Sequence, residues 1–504
     1  MDRGFLRDSL GVAGLTLVSR VTGFLRDFVT ARFLGAGMVS DAFFVALKIP
    51  NMFRGVFAEG AFNSAFIPLF SGVMGEKGRP AARRLASDVF AFLFYALLII
   101  TLLCEIGMPL VIRVFAPGFI DNPAAMELAI TLSRITFPFL ALVALTSFFG
   151  AVLNSLGIFK PYAAAPIILN LTIIAAAFAL APYAPTVAHA LSWGVSISGV
   201  FQLAWLFWIA RRHGFGVMSF RLNLTDGVRS FSRRLAPGLV SAGVYHINLL
   251  LGSIFATQTE GATSYIYYAD RLNQLPVGMI GVAAATVMLP SLSRDIKGGL
   301  LARAKERFND SLVFTSALVL PAAVGCWLVA GPMVGTFFEY GAFTRADTLA
   351  TAGVLKILAL SLPALVYVKL FVNLFYARGD TKTPMKLSIV ALAVNTANMF
   401  AFHHWLGYIG IVWAISLNNW LMLLMIWLSS HRRGYTDMRG AAGRLSAIAL
   451  SSAAMGALLA CVVPEQGDFA GFALAVLGAA ALYGAIYWIS RKAAKTIRRR
   501  TRAG

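Results

Sequence analysis

Apolar positions along this chain neither alternate nor recur as a narrow helical stripe. They run in unbroken blocks separated by short polar punctuation. A helix that crosses a bilayer core needs about 20 consecutive apolar residues. Window reading predicts about 14 such blocks. They cover residues 8–34, 40–71, 85–116, 124–153, 159–182, 186–211, 232–257, 262–293, 309–339, 348–378, 382–403, 407–431, 443–463 and 469–491. Connections are short, and the longest, Arg211 to Ser232, is too small for a folded domain. The predicted class is an all-α polytopic membrane protein whose chemistry lies inside the bilayer or at its faces.

Composition supports this reading. Apolar residues make up 59% of the 504 positions and charged residues 13%, against about 25% charged in a soluble domain. Mean hydropathy is +0.75, so lipid is the natural solvent. The first apolar block is cut by Arg20 and has no small-residue cleavage site before further charge, unlike a removable signal peptide.

The formal charge of +21 raises nucleic acid as a partner, but the distribution argues against it. Basic residues fall in alternate connections: Lys77, Arg79, Arg83 and Arg84; Arg211, Arg212, Arg221, Arg229, Arg233 and Arg234; Arg294, Lys297, Arg303, Lys305 and Arg307; Arg378 and Lys382; Arg432, Arg433 and Arg439. A basic tail, 492–504, closes the chain. The intervening connections carry Asp121, Glu260, Glu465 and Asp468, or no charge at all. Positive connections stay on the cytoplasmic side, which predicts that both termini are cytoplasmic. Cys104, Cys326 and Cys461 are scattered through apolar blocks and read as packing residues. No metal site, cofactor or catalytic constellation is predicted.

A weak repeat recurs at an offset of about 222 residues. Ala61, Pro68 and Ser71 align with Ala283, Pro290 and Ser293. The pairs Lys77-Gly78 and Lys297-Gly298 each precede a basic stretch, and Lys160-Pro161 aligns with Thr383-Pro384, each after a turn holding Gly157 or Gly379. This predicts two pseudo-symmetric six-helix lobes in parallel orientation, 8–212 and 232–431, with two extra helices over 443–491. Transporters built from such repeats hold substrate at the repeat interface and alternate its access to the two faces.

The charges inside the blocks carry the functional reading. Arg20, Arg26, Asp27, Arg32, Asp41, Lys48, Arg54 and Glu59 lie in the first two, Asp270 and Arg271 precede Pro276 and Gly278 in the eighth, and Lys369 lies in the tenth. Each such charge at mid-bilayer costs roughly 2.5–3.5 kcal/mol, so these helices must line a hydrated cavity or pair internally. Pairing of Asp27 with Arg20, seven residues apart on one helix face, or of Asp270 with Arg271, accounts for some of them. The excess of Arg20, Arg26, Arg54, Arg271 and Lys369 implies an anionic ligand, because arginine forks grip phosphate oxygens two at a time. His189 and His246 read as hydrogen-bonded core, Glu105 and Arg134 as helix-pairing residues, and Asp380 as completing the turn after Gly379. A drug exporter needs an acidic, aromatic cavity for cationic drugs. A polyprenyl-phosphate enzyme needs carboxylates converging near one face, whereas the loop carboxylates here are few and scattered.

The segments Gly35-Ala36-Gly37, Ser40 to Ala46, Pro50-Asn51, Arg54 and Phe57 to Phe62 closely resemble the MurJ (MviN) family of bacterial lipid II flippases. So do Tyr267 to Leu272, Leu289 to Ser293, and Phe375 to Arg378 with Asp380 and Lys382-Thr383-Pro384. The resemblance covers about residues 5–430. It implies the multidrug/oligosaccharidyl-lipid/polysaccharide exporter fold in the bacterial inner membrane. The cargo it implies is lipid II, undecaprenyl-pyrophosphate carrying the peptidoglycan disaccharide-pentapeptide, moved by alternating access through a cationic central cavity. By the same resemblance Arg20, Arg26, Arg54 and Arg271 meet the diphosphate. Asp41, Glu59, Asp270 and Lys369 serve gating or transport, and the last two helices form a groove for the lipid tail. Cell-wall synthesis or division machinery becomes a candidate partner. Flippases for other polyprenyl-linked glycans are the related alternative. One departure is Gln274, where the family pattern commonly places an acidic residue.

Overall fold

The computed structural model describes residues 3–56, 62–462, 471, 474 and 476–485. Among these the regular structure is helical throughout, with no strand. Packing divides the chain into two units, residues 1–264 with 340–343, and residues 265–339 with 344–504.

The first unit holds α1 (Arg3–Leu34), α2 (Met38–Val56), α3 (Phe62–Ile106), α4 (Met108–Phe115), α5 (Pro123–Thr136), α6 (Phe139–Ser155), α7 (Lys160–Ala179), α8 (Val187–Arg212) and α9 (Asp226–Ala256). Helix α1 packs on α7, α7 on α8, α8 on α6, and α3 on both α6 and α9. Helices in lipid gain nothing from hiding apolar surface from one another, so interlocking shapes must hold them. Two devices do so here. Phe62, Phe66, Phe70, Phe90, Phe148, Phe149, Phe215 and Phe231 form one buried cluster, with Phe66 and Phe148 at 5.4 Å and Phe62 and Phe231 at 5.5 Å between ring centres. Small residues then bring backbones together: a Cβ on Gly194 of α8 would lie 2.7 Å from the Ala176 methyl of α7.

Helix α10 (Ala262–Pro276) begins in the first unit and continues into the second. A π-helical turn (Val277–Gly281) follows Pro276, which lacks the amide an α-helix would use there. The second unit continues with α11 (Val282–Lys297), α12 (Leu301–Leu328), α13 (Ala330–Phe338), α14 (Arg345–Ala377), α15 (Lys382–Arg432) and α16 (Arg439–Val462). Helix α14 packs on α11, α12, α13 and α15, and α16 packs on α12. Phe308, Phe371, Phe375 and Ile426 lie in its core. The 51 residues of α15 are too many for one crossing, and Gly407 (φ 59, ψ −141) breaks the run where two spans were expected to meet.

Eight helices are long and apolar enough to cross a membrane among the described residues. The charged α1 and α2 fall outside that set. Left-handed glycines recur in register: Gly78 with Gly299, Gly157 with Gly379, and Gly214 with Gly434, spaced 221, 222 and 220 residues apart. Of the expected last span only 471, 474 and 476–485 are described, and the basic tail lies outside. Cys104 and Cys326 are partly buried, but Cys461 is exposed and does not pack as expected.

Candidate functional site

The intramembrane charges lie on α1 and α2 in the first unit and on α10 and α14 in the second. On α1, the Arg26 guanidinium folds onto its neighbour Asp27, with Nη2 2.7 Å and Nε 3.1 Å from Oδ1. Its Nη1 donates to Asn170 Oδ1 of α7 at 3.1 Å. The Asn170 amide in turn donates to the Ser19 carbonyl and Thr22 Oγ1 at 3.1 and 3.2 Å. Asp27 and Asn170 are buried. Arg20 is exposed and makes no ion pair among the described residues, so the expected Asp27–Arg20 pairing is replaced by Asp27–Arg26. The reason is reach: a long guanidinium stem can double back on the adjacent carboxylate, and Asn170 holds its other end.

On α2, Asp41 is 1% exposed yet fully engaged. Oδ2 accepts from the Gly261 amide at 2.6 Å, and Oδ1 accepts from the Ser264 amide and hydroxyl at 2.8 and 2.6 Å. The Ser264 hydroxyl also lies 2.8 Å from Ser40 Oγ. The Ser264 amide belongs to the first turn of α10 and Gly261 immediately precedes it, where a helix leaves donors without acceptors. Asp41 thus caps a helix about 220 residues away, and its charge suits the positive end of that helix dipole. The exchange runs both ways, since the Met38 amide at the start of α2 donates to Glu260 Oε1 at 3.3 Å. Beside this clasp, Gly35 and Gly341 (both φ 65) bring two turns into contact: the Ala342 amide donates to the Arg32 carbonyl at 2.9 Å, and a Cβ on either glycine would lie 2.4 Å from a backbone oxygen of the other turn.

Further along α2, the Lys48 ammonium donates to the Ser253 hydroxyl of α9, and Arg54 Nε donates to Asn51 Oδ1 at 3.3 Å. Glu59 lies outside the described residues. In the second unit, Arg271 donates to the Tyr267 hydroxyl at 3.1 Å and stands 4.8 Å above that ring. The Gln274 amide donates to the Asp270 carboxylate one turn back. Gln274 therefore acts here as a neutral partner for an acid, a role the motif comparison did not suggest. Lys369 is exposed on α14. Sequence reasoning missed Asn170, Gly261 and Ser264, ordinary small or amide residues with no local pattern to mark them, and gave Ser40 no role beyond its place in the motif. Among the described residues no cluster of acids, histidines and cysteines could hold a metal.

The weaker sequence assignments are also placed. His189 Nδ1 lies 2.9 Å from Thr186 Oγ1, and Arg134 Nε donates to the Glu105 carbonyl at 3.3 Å, joining α5 to α3. The His246 side chain lies outside the described residues.

Residues 30–465 match the family model described as lipid II flippase MurJ. The chain belongs to the MurJ family. A "Probable lipid II flippase MurJ" of Rhizobium tropici is 39% identical over 453 residues, which span 89% of this chain and 85% of the relative. Among solved structures, a lipid II flippase MurJ in an inward closed conformation superposes with a TM-score of 0.81 at 26% identity, covering 95% of this chain and 97% of its own. An inward-facing MATE multidrug transporter superposes at 0.70 with 15% identity over 82% of this chain and 94% of its own, a likeness of fold alone. Membership of the MurJ family makes the chain a multi-pass membrane transporter, not an enzyme.

Proposed function

We propose that this chain is a lipid II flippase of the bacterial inner membrane. It carries undecaprenyl-pyrophosphate-linked disaccharide-pentapeptide from the cytoplasmic to the periplasmic leaflet by alternating access through a cationic cavity. The observation that carries this reading is the sign of the intramembrane charge. Arg20, Arg26, Arg54 and Arg271 place guanidinium groups on α1, α2 and α10, inside blocks predicted to cross the bilayer, and a guanidinium fork matches a diphosphate. The drug transporters that share the fold would need the opposite sign for cationic cargo. Asp41, Glu59, Asp270 and Lys369 serve gating or transport, with the Asp41 clasp as a contact that can be made and unmade. The recurring left-handed glycines support two parallel lobes, 8–212 and 232–431, with 443–491 forming a groove for the lipid tail. The alternating basic connections support cytoplasmic termini, and the cell-wall synthesis or division machinery is the proposed protein partner.

Depletion in the host tests this directly. Intact lipid-linked precursor should accumulate on the cytoplasmic face, and an unchanged distribution would overturn the reading. Complementation by Arg→Ala variants at the four positions should fail or fall sharply at normal membrane abundance, with Arg→Lys rescuing in part. Arg26 needs a control because it neutralises Asp27. The R26A/D27N double variant should fold yet still fail to transport. Near-normal translocation by all four Arg→Ala variants would exclude the cationic mechanism.

A further inference from the structure

At the end of α8 the chain turns at Gly214 (φ 84) and runs without helix to Thr225. This segment lies along α3. Arg79 Nη2 donates to the His213 carbonyl at 3.0 Å, and the Tyr95 hydroxyl donates to the Phe220 carbonyl at 2.8 Å. Asn223 and Thr225 donate to the Asp88 carboxylate at 3.3 and 3.2 Å. Phe215 and Val217 are buried, whereas the alternate residues Met218, Phe220, Leu222 and Leu224 are exposed and form an apolar edge. The same end of α8 carries exposed Trp205 and Trp208, stacked at 6.1 Å, with the Arg212 guanidinium 3.6 Å above Trp208. Tryptophan with snorkelling arginine marks the level of lipid headgroups.

A cleft of about 770 Å³ opens at this level, lined by Arg79, Arg83, Arg84, His213, Phe215 and Met218. Arg79 is held by the His213 carbonyl and lies 5.6 Å over the Phe215 ring. Arg83 and Arg84 are exposed and form no ion pair among the described residues. The carboxylate one turn on, Asp88, is occupied by Asn223 and Thr225. Charges placed only to orient a loop need face nothing but water. Here all three arginines line one cleft, with exposed apolar residues beside it.

We propose that this cleft binds the phosphate headgroup of an anionic phospholipid, whose acyl chains lie along Phe220, Leu222 and Leu224. A free phosphate ion would use the arginines but not the apolar edge, and a zwitterionic lipid would bring its own cation to them. The site is separate from the arginines of α1, α2 and α10 assigned to cargo, and it does not depend on that assignment.

The test uses the purified full-length protein in detergent, titrated with phosphatidylglycerol, phosphatidylcholine or inorganic phosphate, with bound lipid counted by native mass spectrometry. Wild type should retain one phosphatidylglycerol that the R83Q/R84Q variant binds roughly tenfold or more weakly, while R83K/R84K stays in between. Leu222→Ser should weaken phosphatidylglycerol retention without touching either arginine. Equal retention by wild type and R83Q/R84Q would overturn the proposal, as would retention of phosphatidylcholine equal to phosphatidylglycerol. Displacement of the lipid by millimolar phosphate, with the same arginine dependence and no effect of Leu222→Ser, would make the ligand a free anion and overturn the lipid assignment. Unfolding temperatures of the variants, expected to match wild type because both arginines are exposed, separate lost binding from lost fold.

Discussion

Asp41 and Asp380 each satisfy the first turn of a helix with a carboxylate, and they do it in opposite ways. Asp41 reaches from α2 to the start of α10, about 220 residues along the chain, and is sealed from its surroundings. Asp380 serves the helix that follows it. Its oxygens accept from the Thr383 amide at 3.0 Å and hydroxyl at 2.7 Å, and Arg433 closes over it from the far end of the same helix, α15. A local cap stops one helix and begins another. A cap supplied from a distant helix joins two elements that chain connectivity does not hold together, so it can also let them go. The same chemistry is thus structural in one place and suited to a gate in the other.

The largest expected effect comes from breaking the distant cap. Asp41→Ala leaves the Gly261 and Ser264 amides buried without an acceptor, while the Ser264 hydroxyl keeps Ser40 Oγ, at a cost of roughly 2–6 kcal/mol summed over the two amides. Thermal unfolding in detergent should shift down clearly, and translocation should be lost. Asp41→Asn keeps one acceptor oxygen but turns an amide donor toward another donor, so it should recover only part of the loss. An Asp41→Ala protein that unfolds and transports like wild type would show that the clasp carries nothing.

Ser264→Ala sharpens the comparison. It removes the hydroxyl that serves both Asp41 and Ser40 but leaves both backbone donors in place. A loss of about 1–2 kcal/mol is expected, with transport reduced but not abolished. If this variant matched Asp41→Ala, the hydroxyl and not the helix end would be the real partner.

The two caps also differ in how far the sequence alone could reveal them. Gly379, Asp380, Thr383 and Pro384 crowd a turn and a helix start into six positions, and the turn is where they predict it. The break at Gly407 was equally local. Asp41 was visible as a charge out of place, but its partners were not, because Gly261 and Ser264 are common residues far along the chain. For the same reason Asp27 could not be assigned to Arg26 over Arg20: helix geometry puts Arg20 on its face, and the decision came from the reach of the Arg26 stem and from Asn170 on another helix. The interruption of α3 at Gly78 (φ 75, ψ 179) was local as well, falling in the Lys77-Gly78 connection between the second and third predicted blocks.

A smaller effect follows from the local cap. Asp380→Ala should cost about 0.5–2 kcal/mol, the usual range for a lost cap, and should leave translocation largely intact. Wholesale loss of transport at normal abundance would mean that Asp380 does more than begin a helix.

The smallest effect is in pH. Burial pushes the Asp380 carboxyl upward, but the Thr383 amide and hydroxyl and the Arg433 guanidinium together outweigh it and hold the group below its ordinary value. A lowered pKa means that the folded state favours the ionised form. Its contribution is therefore complete above the unfolded value of about 3.9 and fades as pH falls through the lower folded value. The site is open to solvent, so the difference between wild type and Asp380→Asn should be only about 1–2 °C in unfolding temperature. That difference should hold level from pH 7 to pH 5 and shrink only in stronger acid. A difference that already closes between pH 7 and 5 would place the carboxyl above its ordinary range, and the Arg433 clasp would then not be the state that Asp380 occupies.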